Sequence, residues 1–475
     1  MTRGTKQRKY TGRDRFPGML LVAALLTLLA VGVQAEDGTP SMPGASMPGV
    51  GAGAAGDRKP AQNVHQLSSD FPARPTVAPS WSIPLDPLGF AAPGALYLGE
   101  RNVLVSLDFL GEDRLLLTFR VPGLLHRESG ESGQSDERYI RAYVLSLPKG
   151  TVEAEATWIV HDRGRYLWAL NEGLDKGHFL LRDRDGLLEG DATLKTRPLL
   201  RFPGRLLTVE LDPDQKFLVT NSREPVPARK PTTAADSAAA AGDGVGGGVG
   251  DDAGDAHGNV PDLVVRVLRR DSGGVMLVDR VRDMVRLPHN EDGYLDMLRG
   301  DRNDWNLEMN FFTGGHKMMG TVLSACSPDV DFLSESEMLA TACSDQGDLA
   351  LVALNTDGDK LWTDLTTDRQ VWPLVRIAPS GLRFLRETLY VTHAVGVFAP
   401  LGDDDIRGQW VQVINDATGE VVLDSPASPV FDGGGNAAIS PSGRRVAVIN
   451  SGAIQVFELP AAPVVAAPVA AQTRP

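Results

Sequence analysis

Apolar and polar residues alternate over short runs almost everywhere between residues 100 and 459, and Asp, Ser, Gly and Pro punctuate the runs. A period of two over five to ten residues, bounded by turn formers, predicts β-strands with two distinct faces. Val103 to Phe109, Arg114 to Arg120, Tyr139 to Leu147 and Thr151 to Val160 read this way. So do His178 to Arg182, Leu206 to Leu211, Lys216 to Thr220, Leu263 to Arg269 and Val275 to Val281. Leu349 to Leu354, Trp410 to Ile414 and Ala453 to Leu459 complete the series. Only Gly293 to Arg299 has a spacing that suggests a helical turn.

The runs also recur. A strand, a polar turn and an apolar strand appear as SLDFLGEDRLLLTF from Ser106, VELDPDQKFLVT from Val209 and VDFLSESEMLATA from Val330. The same order returns as VRIAPSGLRFLRE from Val375 and AAISPSGRRVAVI from Ala437. A second hairpin follows several of them: VLSLPKGTVEAEATW, LVALNTDGDKLWTDL and VQVINDATGEVVLDS. Two hairpins make a four-stranded antiparallel sheet, too small to bury both faces by itself. Packing such sheets around an axis solves the problem, so the expected fold is all-β: a β-propeller of about seven four-stranded antiparallel blades, about 50 residues each. The last unit is one strand short, and Ala95 to Leu98 is the expected closing strand. Two packed domains or a sandwich is the competing architecture. The segment Met284 to Gly320 fits the repeat worst and is expected to be a degenerate blade.

ISPSGRRVAVI and LDPDQKFLVT resemble the inner-strand signature of bacterial propellers of the TolB and YVTN type, and LVALNTDGDKLWTDL is similar to the outer hairpin of quinoprotein-like propellers. The resemblance covers most of residues 100 to 459. It implies the propeller class and no particular activity. The paired Gly-His and Trp-Asp marks of eukaryotic WD repeats do not occur, nor do the adjacent cysteines and calcium-binding acids of quinoprotein dehydrogenases.

Outside the repeats the chain changes character. Basic residues up to Arg15 precede an apolar run, Met19 to Val33, and small residues at Val33 and Ala35 frame a cleavage point after Ala35. This is the pattern of a signal peptide spanning residues 1–35. Fifteen helical residues rise about 22 Å, less than a hydrocarbon core of about 30 Å. Cleavage, and a periplasmic or secreted mature chain without a membrane span, is therefore expected rather than a retained anchor. Residues 36–78 form a leader rich in Gly, Pro, Ala and Ser, and residues 228–259 a low-complexity insertion between two strands. Pro and Ala dominate residues 460–475. Such segments cannot bury enough apolar surface to order themselves, which leaves residues 79–459 for the propeller.

Charge narrows the partners. The whole chain carries −14, and removal of the first 35 residues leaves 41 basic against 60 acidic residues. A mature surface this acidic repels phosphate backbones, so nucleic acid is not expected as a partner. A monomer binding a protein or a small molecule is expected instead. The two cysteines, Cys326 and Cys343, are expected to form a disulfide in an oxidising compartment, worth about 3 kcal/mol in the chain-entropy model. They cannot hold a metal alone, and no cofactor or metal is expected.

Candidate chemistry is sparse. His161-Asp162-Arg163-Gly164-Arg165-Tyr166 is the densest polar cluster, and its His161–Asp162 pair has the composition of an oriented general base or of a solvated turn. Between His289 and His316, Asn290, Glu291, Asp292, Asp301, Asp304, Trp305, Glu308 and Asn310 concentrate polar groups, with Asp301, Asp304, Trp305 and His316 the candidates to face a ligand or a hard cation. Gly247 to Asp252 matches part of a calcium-binding nonapeptide, which needs stacked copies to work. No G-x-S-x-G elbow, H-E-x-x-H pair or phosphate-binding glycine loop occurs. Six tryptophans near strand ends, Trp158, Trp168, Trp305, Trp362, Trp372 and Trp410, are expected to pack blade on blade. The expected function is an exported binding scaffold. The alternative is an enzyme, a hydrolase, lyase or oxidoreductase, with a funnel site assembled from several blades.

Overall fold

The structure is a computed structural model. It describes residues 64–66, 77–90, 105–126, 137–161, 164–171, 177–225, 262–344, 349–365, 370–392, 405–431 and 434–462. The expected signal peptide and the low-complexity insertion lie outside these residues, as do most of the leader and tail. The chain divides into two compact units, Met1–Val64 and His65–Pro475, and everything below concerns the second.

Seven antiparallel sheets follow one another along the chain. Sheet one is Val105–Phe109, Arg114–His126, Glu137–Ser146 and Thr151–His161. Sheet two is Leu167–Asn171, Gly177–Asp183, Gly186–Asp191 and Thr196–Arg201. Sheet three is Arg205–Leu211, Phe217–Arg223, Leu263–Arg269 and Val275–Val281. Sheet four has three full strands, Gly293–Arg299, Asp304–Phe311 and His316–Leu323. Its inner place is taken by a segment pinned by one bridge, His289 to Tyr294, and by the Leu295 amide donating to the Pro288 carbonyl at 2.8 Å. Sheet five holds Asp329–Phe332, Glu337–Cys343, Leu349–Asn355 and Lys360–Leu365. Sheet six holds Gln370–Ile377, Arg383–Val391, Ile406–Asn415 and Val421–Ala427.

Sheet seven joins the two ends of the unit. Ala437–Ile439, Arg445–Asn450 and Ala453–Glu458 come from the carboxyl-terminal side, and Trp81–Pro84 pairs antiparallel with Ala453–Glu458 as the outer strand. The expected closing strand, Ala95 to Leu98, lies outside the described residues, and Trp81–Pro84 does that work instead. Gly293–Arg299, expected as a helical turn, is a strand paired from Gly293–Phe311 to Arg299–Trp305. Burial alternates over Gly293 to Asp296, and the tertiary neighbours override a weak local spacing. The degenerate blade expected at Met284 to Gly320 is sheet four, whose inner strand is reduced to the bridge.

The seams close the ring. Each consecutive pair of sheets shares an apolar cluster: Leu110, Ile140 and Val144 with Phe179 and Leu181 between sheets one and two, for example. Similar clusters join two to three, three to four, four to five, five to six and six to seven. The seventh seam returns to the start, with Leu107, Phe119 and Leu145 against Ile449, Ile454 and Val456. Tryptophans fill these seams as expected: Trp158 sits 5.3 Å from Phe179 and Trp362 stacks 6.1 Å from Phe384. This is a seven-bladed propeller. A sheet buried on both faces and closed in a circle leaves no exposed inner edge.

The first strands sit innermost: that of sheet six touches that of seven, seven touches one, and one touches two. The turn after it is built the same way in three blades. Gly381, Gly443 and Gln215 hold φ of 65, 69 and 59° and donate back to Ala378, Ser440 and Asp212. Gly is the residue that takes this left-handed conformation without cost. Cys326 and Cys343 are bridged, Cα atoms 5.8 Å apart, tying the connection after sheet four to the second strand of sheet five.

Candidate functional site

Four inner strands, and the inner segment of sheet four, carry the same two-residue pattern, a charged residue followed by an apolar one. These are Asp108-Phe109, Glu210-Leu211, Arg286-Leu287, Asp331-Phe332 and Arg376-Ile377. Sheets two and seven carry Ala169-Leu170 and Ala438-Ile439 at that place. The apolar member packs into a seam every time. Side chains alternate along a strand, so the charged member leaves on the opposite face of its sheet, where it meets charged residues of other blades. The repeat thus gathers acidic and basic groups of different blades into shared clusters.

They form two patches. In the first, Arg286 of sheet four pairs with Asp329 and Asp331 of sheet five and stands 3.7 Å from Glu210 of sheet three. Burial opposes the Arg286 charge, but Asp331 and Glu210 outweigh it and hold its pKa above the ordinary range. Burial pushes Glu210 up to about 7, against the pull of Arg286. At the adjoining turns Glu335 is pushed to about 7 and Asp212 to about 6, again mainly by burial. Lys216 there bridges Asp214 at 2.8 Å and Glu291 at 2.9 Å. His289 is buried, with Nδ1 2.9 Å from the Leu287 carbonyl, and burial drives its pKa down to about 4. Among the described residues no three of His, Cys, Asp and Glu are grouped to hold a metal ion.

These shifts set a pH dependence with a definite sign. Glu210 and Glu335 start from 4.5 when exposed and rise to about 7 in the fold. Between those values the folded state binds more protons than the unfolded one, so stability falls as pH rises. The stabilisation is whole below about 4.5 and gone above about 7. Urea midpoints measured from pH 4.5 to 7.5 should show a component of this slope that disappears in the double variant Glu210→Gln, Glu335→Gln. An unchanged slope in that variant would refute the assignment.

In the second patch four sheets meet. Arg376 of sheet six reaches Asp108 of sheet one at 3.5 Å and Glu387 of its own sheet at 3.5 Å. Asp108 also accepts from the Ser106 hydroxyl at 2.6 Å, and Glu387 from Gln409 Nε2 at 3.3 Å. Gln409 in turn accepts from Asn436 of sheet seven at 2.8 Å. Burial raises both carboxyl pKa values, and Arg376 counteracts it in each. Arg165, just ahead of the inner strand of sheet two, feels Arg376, Asp108 and Glu387 electrostatically. Sheets two and six are separated by sheets one and seven, so that contact runs across the axis side of the ring. Beside it the Tyr166 and Thr118 hydroxyls share a hydrogen bond of 2.7 Å.

Arg165 is exposed to solvent, yet its enclosure lowers its pKa to about 10, burial first and Arg376 second.

Of the polar residues singled out from sequence, His289, Glu291, Arg165 and Tyr166 stand in these patches, and the described candidates to face a ligand lie elsewhere. His161 ends the outer strand of sheet one, its Nδ1 2.5 Å from Asp183 and its Nε2 3.0 Å from Glu137, a bridge between sheets one and two. Asp162 lies outside the described residues. Asp301 is exposed in the turn between the first two full strands of sheet four, and Asp304 is half-buried where the next strand begins. Trp305 is buried, donating to the Ser324 carbonyl at 3.0 Å. His316 is exposed at the start of the outer strand, 3.8 Å from Glu308. Asp301 and His316 occupy opposite ends of one blade, so the structure does not bring this set together. Of the charges it does bring together, Asp108, Glu210, Asp331 and Arg376 were legible as a repeated position in four of the five recurrent motifs, and Arg286 lies outside them.

No family model matches this chain, and no curated protein matches it either. Many solved structures resemble it in shape. A chain in a structure of the mitotic checkpoint complex is 10% identical, covering 83% of this chain and 96% of that one, with a TM-score of 0.38. A puromycin-hydrolysing peptidase of Mycobacterium tuberculosis is 12% identical over 79% of this chain and 57% of that one, TM-score 0.39. Hydrazine synthase of Kuenenia stuttgartiensis is 11% identical over 57% and 70%, TM-score 0.33. Likeness at this level concerns the fold and carries no function.

Proposed function

We propose that the protein is an exported binding scaffold that receives a ligand in its central channel. The observation that carries this reading is the pair of charged patches at one repeat position, where acidic and basic side chains of four inner strands and the inner segment of sheet four stand in place of apolar filling. Burying charge is expensive unless it is paired, and a fold needing only stability would fill these positions with apolar side chains. Two-signed patches at fixed positions recognise a polar ligand in one orientation. The signal sequence, with its cleavage point after Ala35, supports delivery to the periplasm or the exterior.

One observation favours the enzyme alternative: Glu210, with a pKa of about 7 in the channel wall, has the proton affinity of a general base. A single experiment separates the two. The mature chain is mixed with a panel of small polar ligands and with ester, glycoside and alcohol substrates. The scaffold reading expects thermal stabilisation by a ligand and no turnover. Turnover that Glu210→Gln abolishes would replace it with the enzyme.

A further inference from the structure

We infer that Arg165 is the receptor for an oxyanion, a carboxylate or phosphate group carried by the ligand of the central channel. The inference rests on the scaffold reading and names the chemistry of what is bound.

Among the described residues, Arg165, Arg286 and Arg376 stand in these patches, and the last two are committed. Arg286 is held by Asp329 and Asp331, and Arg376 lies between Asp108 and Glu387. Arg165 differs. Its Nε donates to the Leu167 carbonyl at 3.0 Å, and its guanidinium carbon lies 5.4 Å from the centre of the buried Trp168 ring. Those two contacts fix the plane of the fork, while its two terminal amino groups meet no protein acceptor among the described residues and face water. A guanidinium held this way presents two parallel donors, the geometry that a carboxylate or phosphate accepts in a bidentate pair.

The surroundings favour an incoming anion. The lowered pKa of Arg165 reports a positive charge that its neighbours under-compensate, and Arg376 adds repulsion. An anion relieves both. The nearby carboxylates compete weakly, because Asp108 is taken by Ser106 and Arg376, and Glu387 by Gln409 and Arg376. Both are buried and Arg165 is not. The charge has already lost part of its hydration inside the ring, so pairing it there costs less than pairing a free surface arginine and gains more.

Calorimetric titration of the full mature chain with succinate, and separately with inorganic phosphate, tests this at low ionic strength. Saturable binding of one anion per chain is expected, and the arm that binds names the group. Arg165→Ala should weaken it at least tenfold and Arg165→Lys severalfold, since an ammonium keeps the charge but not the fork. Arg302→Ala, at an exposed turn of sheet four, should change nothing. Equal affinity in Arg165→Ala, or no binding of either anion by the wild type, overturns the inference. The two readings fail separately: if glucose or spermidine binds with an affinity indifferent to Arg165, the scaffold stands and only the oxyanion receptor falls, whereas turnover abolished by Glu210→Gln removes the scaffold.

Discussion

Arg386→Met will destabilise the protein by about 3–5 kcal/mol, the usual consequence of stripping one partner from a buried ion pair. Arg386 is fully buried in the second strand of sheet six. Its Nη1 stands 3.2 Å from Asp364 on the outer strand of sheet five, and its Nε and Nη2 donate to Gln412 at 3.1 and 2.5 Å. Gln412 then donates to Asp424 at 3.1 Å. Removing the arginine leaves Asp364, itself nearly inaccessible to water, with its nearest positive charge gone. The measurement is an equilibrium urea titration, where the midpoint falls and the slope holds. The double variant Arg386→Met, Asp364→Leu should recover most of the loss, because an apolar pair of similar volume needs no compensation. A single variant as stable as the wild type would show that the pair contributes nothing to the seam between sheets five and six.

Truncation of the chain to begin at residue 91 should be more severe still. It deletes the outer strand Trp81–Pro84 and with it Ile83, Leu85, Leu88 and Phe90, all buried in the seam between sheets seven and one. The Phe90 ring meets Phe119 edge-on at 5.4 Å. At about 1.5–3 kcal/mol for each buried side chain, the loss is about 6–12 kcal/mol, comparable with the whole stability of an ordinary domain. The edge of Ala453–Glu458 is uncovered as well, and an open edge invites pairing between chains. Size-exclusion chromatography should therefore find aggregate in place of the discrete species formed by the longer chain. A chain beginning at Val77 keeps the strand and should elute normally. A folded monomer from the shorter chain would mean that the ring closes without its terminal strand.

The closing strand also shows what one sequence conceals. The repeats revealed that the last unit lacked a strand, but many short runs near the amino terminus fit that role. Only the pairing of Trp81 with Val456 and Pro84 with Ala453 selects one. Gly293–Arg299 failed for a related reason: seven residues with apolar positions at mixed spacing carry too little periodicity to separate helix from strand. In the polar cluster from His161 to Tyr166, composition could not rank its members. The fold turns His161 outward into a bridge between blades and sends Arg165 toward the axis.

The sequence alone determined the unit of construction, because strand alternation and turn chemistry act over five to fifteen residues and leave their period in the chain. It determined the ring as well, since four short strands with two apolar faces are stable only between neighbours like themselves. The bridging of Cys326 and Cys343 was foreseeable from their count and the inferred compartment. Tertiary structure alone decided which charges meet: Asp108, Arg376 and Glu387 come together across up to 279 positions of chain, and Arg165 joins them from a third blade. Electrostatic contact depends on distance through space, and the curvature that brings distant blades to one axis has no local signature in the order of residues.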